Sequence, residues 1–86
     1  MTELELLQDE VADKLAELDG RYGPPASTHE SLGVITEEMA ELISAIRSNK
    51  IQSIRMEAFD VAVSALRLVL AVDRVELTFK LRSGCQ

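Results

Sequence analysis

The stretch from Ile51 to Asp73 limits the fold more than any other, because it carries two apolar stripes and one narrow polar seam. At about 100° per residue, Ile51, Ile54, Ala58, Val61, Ala65, Leu68 and Val72 form one stripe. Met56, Phe59, Val63, Leu66 and Leu70 form another on roughly the opposite side. A helix with this pattern must be covered twice. A chain of 86 residues buries only a modest core, so the second cover points to a partner chain. Between the stripes run Ser53, Glu57, Asp60, Ser64 and Arg67. Glu57 and Asp60, three residues apart, sit on neighbouring turns of one face, at the border of a surface where an unpaired charge is costly.

Two more helices precede this one. Thr2 is a good N-cap, Glu3 and Glu5 favour the first turn, and Leu4, Leu7, Val11, Leu15 and Leu18 recur at helical spacing until Gly20. Glu5, Asp9, Asp13, Lys14 and Glu17 fall on the other side and read as a solvated face. Residues 20–27 hold both prolines and two of the four glycines, which marks a connection. Ser27 with Glu30 has capping-box spacing, the Glu30 carboxylate reaching back to the N–H of the cap itself. A second helix then runs to about Arg47 on the stripe Leu32, Ile35, Met39, Leu42, Ile43 and Ile46. The short turn Ser48, Asn49, Lys50 makes the second and third helices antiparallel neighbours. Beyond Asp73, Val75, Leu77, Phe79 and Leu81 alternate with polar residues, an extended-tail pattern. The expected fold is a single all-α domain over 1–86, an antiparallel helical bundle completed by homo-oligomerisation, with a short extended C-terminal tail.

Composition narrows the function. Fifteen acids against nine bases give a net charge of -6, which disfavours non-specific binding to a nucleic acid polymer or an anionic membrane. The longest apolar run, Leu68 to Val72, is far short of a membrane span, and no basic-then-apolar leader opens the chain, so a cytoplasmic location is expected. Cys85 has no cysteine partner within the chain.

The acids carry the chemistry. Measured from Ile35, Glu38 lies about 60° and Glu41 about 120° to one side, with Glu37 a little further round; measured from Ile54, Glu57 and Asp60 have the same offsets in the same direction. Two helices with matched acidic shoulders can point four carboxylates into one groove. Oxygen ligands without thiols or clustered imidazoles suit Mg²⁺, with Mn²⁺ as its substitute, and crowded acids raise one another's pKa values unless cations neutralise them. The competing reading is a solvated face paired with Arg47, Lys50, Arg55 and Arg67; the apolar flanks of Glu57 and Asp60 argue against it. His29 stands alone and reads as a loop or capping residue, and Met39 and Met56 as core.

The pattern Glu37-Glu38-Met39-Ala40-Glu41, fifteen residues, then Glu57-Ala58-Phe59-Asp60 resembles the signature of the MazG-like all-α nucleoside triphosphate pyrophosphohydrolases. Arg21 to Pro24, His29-Glu30, Leu32 to Ile35, Asp60 to Ala62 and Ala65 to Arg67 resemble the small phage or mobile-element members of that group. The resemblance spans about residues 20–70. It implies Mg²⁺-dependent hydrolysis of a nucleoside triphosphate to monophosphate and pyrophosphate in a homodimer or dimer of dimers. Glu38, Glu41, Glu57 and Asp60 are then the metal ligands, with Glu37 a base or a ligand to a second metal. Arg67, and more weakly Lys50 and Arg47, are the expected phosphate contacts. A ferritin-type di-metal bundle requires Glu-x-x-His, which the chain lacks. The remaining alternative is a non-catalytic helical dimer acting as an interaction or regulatory module.

Overall fold

In the computed structural model, which describes residues 1–74, the chain forms three helices: α1 (Glu3–Tyr22), α2 (Thr28–Ser48) and α3 (Ile51–Asp73). Among these residues there is no strand, and no helix is long and apolar enough to cross a membrane. The tail pattern over 75–82 lies outside the described residues.

The first two helices start where a side-chain cap places them, whereas α3 opens at Lys50 without one. Thr2 accepts from the Glu5 N–H at 3.1 Å while the Glu5 carboxylate accepts from the Thr2 N–H at 2.9 Å, a complete capping box. At α2 the box is skewed. Ser27 Oγ accepts from the Glu30 N–H at 3.1 Å, but Glu30 reaches the N–H of Ala26 and not that of Ser27, so the carboxylate also ties down the preceding linker. Asn49, at φ 56° and ψ 31°, closes α2 in the left-handed region that asparagine tolerates.

Helix α1 does not stop at Gly20. It continues to Tyr22, and Gly23 ends it at φ 70° and ψ -172°, backbone that essentially only glycine adopts. Two substitutions follow with opposite signs. Gly23→Ala is expected to cost about 1–3 kcal/mol from backbone strain alone, since a Cβ there meets nothing within 4 Å. Gly20→Ala, with an equally open Cβ position inside the helix, is expected to gain about 0.5–1 kcal/mol. Denaturant midpoints at unchanged m-value read both.

Helices α2 and α3 form the main packed pair. Ser31 lies near Ser64 and Arg67, Glu38 is within electrostatic reach of Asp60, and Glu41 meets Glu57, so the pair is antiparallel. Helix α1 runs in the same sense as α3, bridged by Glu10 to Arg55 near one end and Asp19 to Arg74 at the other. The buried apolar residues are small, Ala45, Val63 and Ala71. Leu32, Met39, Ile43 and Ile46 of α2 and Ile51, Ala58, Ala62, Ala65 and Val69 of α3 stay exposed. At about 100° per residue these two stripes open on the same side of the pair, the side away from α1.

Candidate metal centre

The polar seam of α3 packs against α2, and its acidic half meets the acidic shoulder of α2. One carboxylate oxygen from each of Glu38, Glu41 and Glu57 lies within 4.8 Å of the others. Two oxygens on opposite sides of a Mg²⁺ ion stand about 4.2 Å apart, so movements of less than an ångström would close the three on one cation. Glu38 and Glu57 are half-buried and Glu41 is exposed.

Electrostatics mark the same spot. Glu38 Oε2 and Glu57 Oε2 are buried without a hydrogen-bond partner, a costly arrangement for carboxylate oxygens. Burial first, then the charges of Asp60, Glu41 and Glu37, hold the Glu38 carboxyl above its usual value. The Glu57 carboxyl is raised chiefly because it shares a hydrogen bond with Glu41, then by burial and by the charges of Glu41, Asp60 and Glu38. That hydrogen bond exists only when one of the two holds a proton; with both ionised the oxygens face each other unpaired. Among the described residues no ion pair reaches these acids. Arg55 pairs with Glu10, Arg74 with Asp19, and Lys14 and Arg21 with Glu17.

Of the four expected ligands, three converge. Asp60 stands outside the trio but acts on both Glu38 and Glu57 through its charge, and it borders the groove between α1 and α3. Glu37 is exposed beside Glu38. Arg67 is not turned to the acids: its Nη2 donates to the Gly23 carbonyl at 2.6 Å, fastening the linker across the far end of the seam. Arg47 and Lys50 are exposed at the α2–α3 turn.

The sequence reading passed over two features. Ser31 is 5% exposed, and its hydroxyl is unpaired in a cavity of about 20 Å³ shared with Ser64 and Arg67, large enough for a single water. Its position seven residues before Glu38, mirroring Ser64 seven after Glu57, places it in the seam. The face of α1 read as solvated, with Asp13, Lys14 and Glu17, forms one wall of the α1–α3 groove.

Comparisons of the chain with protein-family models, curated proteins and solved structures find no match.

Proposed function

We propose that this chain is a Mg²⁺-dependent nucleoside triphosphate pyrophosphohydrolase acting as a homodimer or dimer of dimers. The observation that carries the reading is the pair of buried, unpartnered oxygens of Glu38 and Glu57 with Glu41 beside them. A protein interior tolerates converging carboxylate oxygens poorly unless a cation satisfies them. The set is all oxygen, which fits Mg²⁺ and admits Mn²⁺.

Glu38, Glu41 and Glu57 would hold the ion, with Asp60 the next carboxylate in reach. When bound, the cation supplies charge screening for the phosphates and lowers the pKa of water. Glu37, exposed and adjacent, is the base that takes the proton of the attacking water. Arg47 and Lys50 offer positive charge at the turn end of the seam. For Arg67, phosphate binding would require release of the Gly23 carbonyl, so linker fastening is its resting role. The uncovered apolar stripes of α2 and α3 support the dimer.

The test is thermal. Mg²⁺ with a non-hydrolysable nucleoside triphosphate binds the folded state alone; at a hundredfold excess over Kd it stabilises by about 2.7 kcal/mol. For a domain of this size that raises Tm by about 10 °C or more. A Tm unmoved by both together leaves the chain a non-catalytic helical dimer.

A further inference from the structure

Between α1 and α3, on the side where Asp60 leaves the acid cluster, runs an open groove of about 610 Å³. That volume lies within the range of small-molecule sites. Arg55 is fixed in it from two directions. Its Nη1 and Nη2 donate to the two carboxylate oxygens of Glu10 at 3.0 and 2.7 Å, and its guanidinium carbon lies 5.4 Å from the centroid of the Phe59 ring. The side chain nonetheless keeps 58% of its surface exposed.

A guanidinium whose fork already faces a carboxylate is a poor phosphate ligand. It remains a flat plate, and guanidinium planes stack on nucleobases as they do on aromatic rings. The second cation of the groove, Lys14, is likewise committed, to Glu17 at 2.8 Å. Asp13 and Asp60 add negative charge. The groove therefore disfavours a polyphosphate and suits the uncharged end of a nucleotide, while the acid cluster next to it suits the metal-bearing end.

We propose that this groove receives the nucleobase of the substrate, stacked on the outer face of the Arg55 guanidinium. Glu10 and Phe59 are positioning residues that hold the plate still. The proposal rests on the pyrophosphohydrolase reading and adds the binding mode of the base. Stacking is tolerant of base identity, so one plate serves several nucleoside triphosphates.

The experiment compares a nucleoside triphosphate with inorganic tripolyphosphate, which has the charge but no base. Arg55→Lys keeps the charge and removes the plane; Phe59→Leu removes the backing ring while staying apolar. Both are expected to raise KM for nucleoside triphosphates about tenfold, the usual scale of one lost stacking contact. The turnover number and the inhibition constant of tripolyphosphate should stay at their parent values. Glu10→Gln, which can still hydrogen-bond Arg55, should raise KM less. An unchanged KM in Arg55→Lys overturns the proposal. So does a tripolyphosphate inhibition constant that rises in parallel with KM, since Arg55 would then be a phosphate contact. A parent chain that binds tripolyphosphate with Mg²⁺ but nucleoside triphosphates no better overturns the plate and leaves the acid site standing. A chain that binds neither overturns both.

Discussion

Glu57→Gln is expected to abolish triphosphate hydrolysis, by at least about 100-fold, and yet to make the metal-free protein melt at a higher temperature near neutral pH. The loss follows from its place in the trio: outer partners of metal ligands already cost 10–100-fold when changed, and this residue is proposed as a ligand. The gain follows from the same geometry without the ion. Glu57 and Glu41 face each other, and with both ionised the buried Glu57 oxygen has no donor. The new amide donates to Glu41 at every pH and removes one of the repelling charges.

The same pair sets the sign of the pH dependence. Glu38 and Glu57 have folded-state pKa values raised above the usual carboxylate value. Between the unfolded and the folded value the folded state therefore binds more protons than the unfolded state. Stability falls as pH rises through that window and levels off above it. Glu5, Glu10 and Glu17 act oppositely. Hydrogen bonds to Thr2, Arg55 and Lys14 lower them, so their contribution is lost only as pH falls below the ordinary carboxylate range. In the metal-free parent, Tm should thus decline as pH rises above the ordinary carboxylate range. Mg²⁺ should flatten the decline, because it binds the ionised form. Glu57→Gln should flatten it without Mg²⁺. A parent whose Tm rises over this interval, or an active Glu57→Gln chain, would sink the assignment.

The helices were legible because their signals are local. Thr2, Ser27 and Asn49 act on groups within a few residues of themselves, and the stripes on α2 and α3 repeat at helical spacing. Gly20 misled because glycine inside a helix costs only about 0.5–1 kcal/mol and does not by itself end one; the true stop is Gly23, whose backbone angles no pattern of apolar residues reports. Convergence of Glu38, Glu41 and Glu57 was legible in the matched offsets on two short-linked antiparallel helices, but the same offsets also placed Asp60 with them, and it stands outside the trio. What periodicity could not give was where α1 lies. That helix has no buried residue and is joined to α3 by charged side chains such as Glu10 and Asp19. Those acids look like any solvated face until the partner arginines are placed opposite them. Arg67 shows the same limit, because the carbonyl it holds belongs to a loop 44 residues away.

The second large effect concerns the apolar side left open by α2 and α3. Ala62 is exposed in the single chain, flanked along α3 by Ala58, Ala65 and Val69. If the chain worked alone, Ala62→Glu would be an ordinary surface change within about 0.5 kcal/mol of neutral. If a second copy covers this face, the same carboxylate is buried against apolar residues without a partner, at a cost of about 3–5 kcal/mol. That is a large part of the total stability of a small domain. The three-helix unit has little to fall back on, since its fully buried apolar side chains are Ala45, Val63 and Ala71. The parent should therefore show a mass of two or four chains by light scattering and a Tm that rises with protein concentration. Ala62→Glu should show one chain, a sharply lower Tm and no concentration dependence. Gln8→Glu, exposed on α1, should leave mass and Tm as they were. A monomeric parent that melts cooperatively and ignores Ala62→Glu would mean that the open stripes need no second copy. The acid trio would then have to function within one chain.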